Sequence, residues 1–412
     1  MVDHSKDHDI KSRMQVFVKH SNDPTVLVSP IREWDRFNDR IRLGIARMRN
    51  SSFRTNNPVL HSPALRRSGW AEELNASDAD LLHLQWVGQW QGHVPTLSVE
   101  EIGCLRKPIV WTLHDQWAFC GAEHYVMPPP AVDERFIFGY TNFNRLSHER
   151  GADLNRRTWN RKRKAWQQPL QIVCPSHWMA DCVRRSALMQ EWPVEVIPTP
   201  IDLNTFKPFD PKYARDQLGL PQNVPLLLFG AVGGISDSRK GFDLLLAALA
   251  YRRSDSELHD LSELQLIVLG EEGQAGEAMK LGFPIHNPGH ISNDAKLSMY
   301  YSAADAVVVP SRLDNLPNIA IEAHACGTPV VAFRTSGLQD IIDDRITGAF
   351  AKPFEVASLR QEIAWVLADP DRTRRLGEQA RSRAELLWAP ARIASLYANV
   401  YRMTLASNMR GS

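Results

Sequence analysis

Short apolar runs recur along the chain and alternate with segments in which apolar residues follow a helical spacing. Runs such as 109–113, 225–229 and 306–309 are dominated by large apolar side chains, which is typical of strands buried on both faces of a sheet. Residues 242–249 place four large apolar side chains on one face of a helix. This alternation of buried strands and amphipathic helices predicts an α/β fold with parallel sheets.

The same alternation runs through both halves of the chain. It begins with strand candidates at 14–19 and 25–28. At 412 residues the chain is long for a single hydrophobic core. Repeated proline within 198–202 predicts a stiff, extended crossing between the halves. We therefore predict two domains, 1–200 and 201–389, each built on a doubly wound parallel sheet.

Composition and charge exclude several classes of protein. The net charge is +1, with 43% hydrophobic and 23% charged residues, so nothing global indicates nucleic-acid binding. No apolar run approaches the roughly 18–20 residues that span a bilayer, and the charged start does not resemble a signal peptide. The five cysteines are scattered and lack metal-ligand spacing. We expect a cytoplasmic protein without a cofactor.

Two carboxylates flank a predicted helix start in the segment 310–333. Asp314 precedes the helix, Glu322 lies on its second turn, and Pro317 between them is suited to the first helical position. The first turn of such a helix presents free N–H groups, which favour phosphate or sugar oxygens. On spacing alone, an ordinary βαβ unit with surface acids is an equally good interpretation.

A glycine run and two basic residues follow the apolar run 225–229. Gly233 and Gly234 allow the backbone to approach an anion closely. Arg239 and Lys240 lie at the start of the next predicted helix, where positive charge suits a phosphate. The glycine pair alone does not identify a phosphate-binding loop, and a solvated basic pair is the alternative interpretation.

His114 directly follows the apolar run 109–113. In open α/β sheets, ligands bind at the carboxyl ends of the strands. A ligand contact through the imidazole is therefore the functional interpretation. A histidine whose ring is satisfied by backbone groups at a strand end is the structural alternative.

Residues 156–166 combine basic and aromatic side chains on one predicted helix. Trp159 and Trp166 share a face, with Lys162 and Arg163 between them. Such a surface suits contact with an anionic membrane at its inner face, or with a lipid-diphosphate acceptor. A solvated helix that packs its tryptophans against its own domain is the alternative.

The segment 310–333 resembles the signature of glycosyltransferase family 4. The family pattern is Glu, seven residues and Glu, followed by Ala-x-Ala-x-Gly-x-Pro-Val-Val. Glu322 stands at the second glutamate, and Gly327 and Pro329 match the residues that follow it. Asp314 stands at the first glutamate and is one methylene shorter.

The resemblance extends from about residue 14 to the C-terminus. The stretch 111–125 is similar to a branch of the family that builds exopolysaccharides. Family members usually begin with a strand and a glycine-rich loop before the part that 14–30 resembles. We expect this opening to be missing here, and a mis-assigned start is the alternative explanation. The resemblance also implies that the terminal helix, 390–412, returns to the first domain.

Membership in this family implies a retaining enzyme with the GT-B fold, in which two Rossmann-like domains face each other across a cleft. It would transfer a sugar from a nucleotide-diphosphate donor to a glycan or a polyprenyl-diphosphate-linked acceptor, in exopolysaccharide, capsule or lipopolysaccharide synthesis. The implied catalytic residues are His114, Asp314 and Glu322. The implied substrate-binding residues are Gly233, Gly234, Arg239, Lys240, His290, Leu316, Pro317 and Asn318.

The family needs no metal, and we predict none here. Asp78-Ala-Asp80 has the pattern with which metal-dependent glycosyltransferases hold a divalent ion, but it precedes a predicted strand instead of following one. Two further functions stay open. The chain could be a sugar-nucleotide epimerase of the same fold. It could also be a non-catalytic protein that binds nucleotide sugars, given the missing opening.

Overall fold

A computed structural model describes most of the chain. The described residues are 9–19, 21–29, 41, 44, 48, 51–65, 67–87, 97–131, 133–230, 237–250, 261, 263–270 and 282–411. They fall into two compact units. The first comprises Met1–Ile197 and Ile393–Ser412, and the second comprises Pro198–Arg392.

The first unit begins with a small sheet of two parallel strands. Strand β1 covers Met14–Val16 and strand β2 covers Val26–Val28. Both strands predicted at the start of the chain are therefore confirmed, and each is shorter than the apolar run that indicated it. Leu27 and Val28 remain exposed, so this pair contributes little to a core.

The main sheet of the first unit has four parallel strands in the order β3-β4-β5-β6. They are β3 (Leu82–Leu84), β4 (Ile109–Thr112), β5 (Gln171–Cys174) and β6 (Val194–Val196). The helices of this part are α1 (Trp70–Ala76), α2 (Val99–Gly103), α3 (Arg135–Phe138), α4 (Leu154–Ala165) and α5 (His177–Arg185). All residues of β4 are buried, as its continuous apolar pattern indicated.

The last helix of the chain, Pro390–Gly411, packs on this sheet. Ile393, Tyr397 and Val400 share one buried cluster with Val110 and Val173 of the two central strands. Apolar residues at three- and four-residue spacing thus cover a sheet face that would otherwise meet water.

The second unit contains a sheet of six parallel strands. They are β7 (Leu226–Gly230), β8 (Gln265–Leu269), β9 (Ile285–Gly289), β10 (Ala306–Val309), β11 (Val330–Phe333) and β12 (Gly348–Ala351). Their order is β12-β11-β10-β7-β8-β9, and every neighbouring pair is parallel. The strand order reverses between β7 and β10, and in such sheets ligands bind beyond the carboxyl ends of the strands at this reversal.

Helices cover both faces of the six-stranded sheet. They are α6 (Pro211–Leu218), α7 (Phe242–Ala250), α8 (Asp294–Ala303), α9 (Asn318–Ala325), α10 (Leu338–Ile341), α11 (Val356–Leu367) and α12 (Pro370–Leu387), and the terminal helix is α13. Leu226 and Leu228 belong to the core under α8 and α9, whereas Leu227 and Phe229 belong to the core under α7 and α11. The predicted α/β fold with two parallel Rossmann-like sheets is confirmed.

Within the described part of the chain, no helix has the length and apolar character needed to cross a membrane.

The hypothesis of a basic, aromatic surface on α4 is wrong. Trp159 and Trp166 are both buried, and Lys162 has no exposed surface. The Lys162 ammonium donates hydrogen bonds to three backbone carbonyls of the turn 117–121 and lies 3.9 Å from the ring centre of Trp117. A charge can be buried when hydrogen bonds replace its lost water, so periodicity alone misplaced this side chain. The alternative interpretation, in which the helix packs its tryptophans against its own domain, is confirmed, and these side chains offer no surface for a membrane contact.

Candidate functional site

Two loops meet where the strand order of the second unit reverses. The chain leaves β7 and resumes, in the described residues, at Asp237 with a short 3₁₀ turn, Ser238–Lys240. The predicted phosphate-binding residues Gly233 and Gly234 lie outside the described residues. The loop after β10 packs on this turn, and the Arg312 amide donates to the Arg239 carbonyl at 2.6 Å.

Gly241 allows this close approach. Its φ of +68° lies in the left-handed region, and a Cβ at this position would stand 1.9 Å from the Pro310 carbonyl oxygen. No larger side chain fits there without moving one of the two loops. The glycine therefore brings Arg239 and Lys240 against the loop that carries Asp314.

Lys240 and Asp314 form an ion pair in this structure. The distance from Nζ to Oδ2 is 2.5 Å, and the side chains are 23% and 10% exposed. The resemblance implied separate roles for them, phosphate binding for Lys240 and sugar binding for Asp314. They share one site because β7 and β10 are neighbours in the sheet, although 74 positions separate them in sequence.

The backbone around Asp314 is held on both sides. Its amide donates to the Ser336 hydroxyl at 3.1 Å, and its carbonyl accepts from the Gly337 amide at 3.0 Å. Gly337 lies so close to Asn315 that a Cβ would fall 1.3 Å from the Asn315 carbonyl oxygen. This packing fixes the direction in which Asp314 leaves the loop.

Two arginines near Lys240 also hold carboxylates. Arg239 contacts both carboxylate oxygens of Asp237, at 3.1 and 2.6 Å. Arg312 makes a two-bond contact with Asp243, at 2.7 and 2.6 Å. Arg312 was not predicted as a site residue, although its position inside the signature loop was a usable signal. Three cationic side chains thus lie where the two loops meet, and each forms an ion pair with a carboxylate.

Helix α9 begins beside the same loop. Pro317 is its N-cap, with no side-chain hydrogen bond to the first turn, so the helix starts one residue later than predicted. Leu316 and Pro317 are buried and Asn318 is exposed. The first backbone N–H groups of an eight-residue helix therefore begin at Asn318, where they favour negatively charged oxygens.

Glu322 lies on the second turn of α9 and is held by Tyr301 of α8. The tyrosine hydroxyl donates to Glu322 Oε2 at 2.7 Å. Burial raises the pKa of Glu322, the hydrogen bond from Tyr301 opposes this, and Asp294 adds to it. Tyr301 was not predicted, since no local pattern links it to a residue 21 positions later.

His290 lies apart from the Lys240–Asp314 pair. It is exposed and follows Gly289, the last residue of β9. Strand β9 forms one edge of the sheet, with β8 and β7 between it and β10. The two positions are therefore at the same carboxyl edge of the sheet but three strands apart.

In the first unit, His114 follows β4 at the carboxyl edge of the four-stranded sheet. Its Nε2 lies 2.7 Å from Gln85 Oε1, and its carbonyl accepts from the Tyr125 hydroxyl at 3.2 Å. Desolvation lowers the pKa of His114, and the neighbouring Asp115 carboxylate opposes this shift. The imidazole is thus biased toward its neutral form. Gln85 was not predicted, because it lies 29 positions away.

Next to His114 lies a hydrogen-bonded Asp–His–Ser arrangement. Asp115 Oδ2 is 2.6 Å from His124 Nδ1, and His124 Nε2 is 2.7 Å from Ser62 Oγ. Trp86 donates to the same carboxylate at 2.8 Å. The geometry resembles a nucleophilic triad, but Ser62 has no exposed surface, so its hydroxyl cannot reach a substrate. The arrangement instead stabilises the wall of a small cavity lined by Gln85, Trp86, His114, Asp115 and His124.

The Asp78-Ala-Asp80 triplet lies elsewhere in the first unit. Asp78 forms an ion pair with Arg13, which lowers the pKa of its carboxyl group. Across the residues that the structure describes, no group of three or more His, Cys, Asp or Glu side chains is arranged to hold a metal ion.

Two family models match successive parts of the chain. Residues 17–205 match the model "Glycosyltransferase Family 4", and residues 214–383 match the model "Glycosyl transferases group 1". The first match includes the four-stranded sheet and the second includes the six-stranded sheet.

Among curated proteins, the D-inositol 3-phosphate glycosyltransferase of Segniliparus rotundus is 34% identical over 206 residues. The aligned part covers 46% of this chain and 43% of that relative, so the chain spans less than half the length of the relative that it matches.

Two solved structures resemble the fold. Sucrose-phosphate synthase from Thermosynechococcus elongatus gives a TM-score of 0.60 at 21% identity, covering 95% of this chain and 86% of that one. HepE of Anabaena, solved in complex with UDP, gives 0.56 at 17% identity, covering 81% of each chain. At these identities the likeness concerns the fold, which is the two-domain GT-B type.

Proposed function

We propose that this chain, which belongs to the family 4 glycosyltransferases by the matches of both its halves, transfers a sugar from a nucleotide-diphosphate donor with retention of configuration. The Lys240–Asp314 pair is the observation that carries the proposal. It joins the two loops at the reversal of strand order, which is the expected position for a nucleotide in this kind of sheet.

The donor diphosphate would replace the carboxylates that Lys240 and Arg239 hold. Lys240 and Arg239 each form an ion pair with a carboxylate in the structure. A diphosphate carries more charge than one carboxylate, and its oxygens accept hydrogen bonds from both arginine and lysine. When Lys240 turns to the phosphate, Asp314 is released, and its carboxylate becomes available to hydroxyl groups of the donor sugar.

Glu322 would bind the ribose hydroxyls of the nucleotide. Its carboxylate is already oriented by Tyr301, so little side-chain freedom is lost when a ligand binds. The fold shared with a protein solved with UDP fits a nucleotide ligand. The turn with His290 would lie near the base, mainly through backbone groups, and the backbone of Leu316, Pro317 and Asn318 near the sugar and phosphate.

For His114, the family resemblance implies a role at the donor sugar. A neutral imidazole or the carbonyl of this residue can stabilise positive charge that develops at the anomeric carbon. Positive charge from Lys240, Arg239 and the start of α9 would stabilise the leaving diphosphate without a metal ion. We infer front-face attack, in which the leaving phosphate helps to deprotonate the acceptor, as proposed for the family.

The acceptor has two candidates. The resemblance of residues 111–125 to an exopolysaccharide branch favours a glycan or polyprenyl-diphosphate-linked acceptor, used in the cytoplasm. The name of the curated relatives favours a phosphorylated cyclic polyol. Both acceptor classes fit a site that activates a hydroxyl group.

A donor screen followed by an acceptor screen tests the proposal. Thermal shifts with UDP-, GDP- and ADP-sugars identify the donor, and release of the nucleoside diphosphate with each acceptor class then measures transfer. Turnover of a donor without any acceptor would indicate an epimerase. Nucleotide binding without transfer to either class would indicate a non-catalytic binding protein.

A further inference from the structure

A chain of hydrogen bonds in the first unit runs from the terminal helix α13 to His114. His83, in the middle of β3, lies 2.7 Å from the Tyr401 hydroxyl through Nδ1 and 2.8 Å from the Thr112 hydroxyl through Nε2. Gln85 continues the chain, with its amide nitrogen 2.9 Å from His83 Nε2 and its amide oxygen 2.7 Å from His114 Nε2.

The chemistry of each group determines which partner donates in each of these hydrogen bonds. The Gln85 amide nitrogen can only donate, so His83 Nε2 must accept, and the His83 proton lies on Nδ1 and is donated to Tyr401. The Thr112 hydroxyl, which also lies beside His83 Nε2, is 3.0 Å from the Tyr397 hydroxyl. Burial lowers the pKa of His83 to about 3 and raises the pKa of Tyr397 to about 12, so both are neutral at physiological pH.

The orientation of the Gln85 amide also determines which ring nitrogen of His114 carries the proton. The Gln85 amide oxygen can only accept, so His114 Nε2 must carry the proton. The opposite tautomer of His114 would place two lone pairs against each other unless the Gln85 amide turned over. Such a turn would require the His83 proton to move from Nδ1 to Nε2, and the hydroxyls of Thr112 and Tyr401 to exchange their donor and acceptor roles.

We propose that Gln85 is a positioning residue that holds His114 in the Nε2–H tautomer and in one ring orientation, and that His83 holds Gln85 in turn. The proposal rests on the function proposed above, since it concerns the histidine assigned to the donor sugar. A ring held in one tautomer presents the same groups in every turnover, whereas a mixture presents the wrong atom part of the time.

An exclusively structural role for Gln85 predicts something different. In that case Gln85 only ties the end of β3 to the end of β4, and replacing it would lower stability without changing the proton position on His114. The two interpretations therefore differ in a property that can be measured without any enzyme assay.

The test is long-range ¹H–¹⁵N spectroscopy of ¹⁵N-histidine-labelled protein, with the His114 signals assigned from a His114→Asn variant. We expect a single Nε2–H tautomer in the unaltered protein and a mixture in Gln85→Met. Gln85→Glu should keep the single tautomer, because a carboxylate oxygen still accepts from Nε2–H. Gln171→Met, at the start of the adjacent β5, is the matched control and should leave His114 unchanged. An unchanged single tautomer in Gln85→Met would overturn the proposal.

Kinetics provide the second readout. Loss of a group that orients a metal-ligating histidine typically lowers activity about 10–100-fold. We expect a loss of similar size in kcat of Gln85→Met, with donor KM little changed. If Gln85→Met does not fold, Tyr401→Phe decides, because it removes only the acceptor of the His83 proton. A mixed His114 tautomer in that variant supports the proposal, and the single tautomer refutes it. Failure of the unaltered protein to transfer any sugar refutes the proposed function alone.

Discussion

Replacement of Lys240 by methionine separates two consequences of the Lys240–Asp314 pair. Methionine keeps the apolar stem but removes the charge, which leaves the Asp314 side chain, 10% exposed, without its cation. Loss of one partner costs about 3–5 kcal/mol for a fully buried pair and about 0–1 kcal/mol for an exposed pair. Lys240 is 23% exposed, so an intermediate loss of about 2 kcal/mol is expected. In a unit of this size, that lowers Tm by about 4–8 °C.

The effect on turnover should be larger. Negative charge on the diphosphate grows as the bond to the sugar breaks, so the ammonium is most useful in the transition state. Losing one such group costs about 10²–10³-fold in kcat, roughly 3–4 kcal/mol. Donor KM should change less, because the diphosphate no longer has to displace Asp314 from Lys240.

The double variant Lys240→Met/Asp314→Asn distinguishes stability from catalysis. It removes the unpaired carboxylate, so it should recover most of the lost Tm while remaining inactive. Lys212→Met, on the exposed face of α6, is the matched control and should affect neither property. The assay is release of nucleoside diphosphate at saturating acceptor, together with thermal melts. A Lys240→Met protein with near-normal kcat would refute the assignment of the phosphate site.

Three further predictions follow from other residues. Glu322→Ala should raise donor KM with a much smaller change in kcat, because a ribose contact is made about equally in the ground and transition states; steady-state kinetics measure this, and a loss confined to kcat would contradict it. Burial raises the pKa of Glu123 from 4.5 to about 7. The protonated carboxyl group therefore contributes its full stability below about pH 4.5, and this stability is lost as the pH rises through 7. The change in Tm caused by Glu123→Gln should therefore be more favourable at pH 8 than at pH 5. Equal changes in melts at the two pH values would argue against an ionised buried carboxyl group. Transfer should survive excess chelator, and activity that is lost with chelator and restored by Mn²⁺ would contradict the metal-free mechanism.

Much of the fold could be predicted from local sequence, because the signals lie within a few residues of the element that they determine. Continuous apolar runs indicated β4, β7 and β10, and all three are strands in which almost every residue is buried. Pro317 and Gly327 bracket α9 to within one residue of the predicted ends. These features depend on backbone geometry and on burial, which neighbouring residues largely decide.

The pairing of side chains required the tertiary structure. Lys240 meets Asp314 because β7 and β10 are adjacent strands, and Gln85 meets His114 because β3 and β4 are. Lys162 also shows that local sequence does not determine the partners of a polar side chain. Its helical position predicted an exposed charge, but three carbonyls of a distant turn replace its water. Periodicity reports which face of an element is apolar, whereas strand order and loop packing decide which polar groups come within hydrogen-bonding distance of one another.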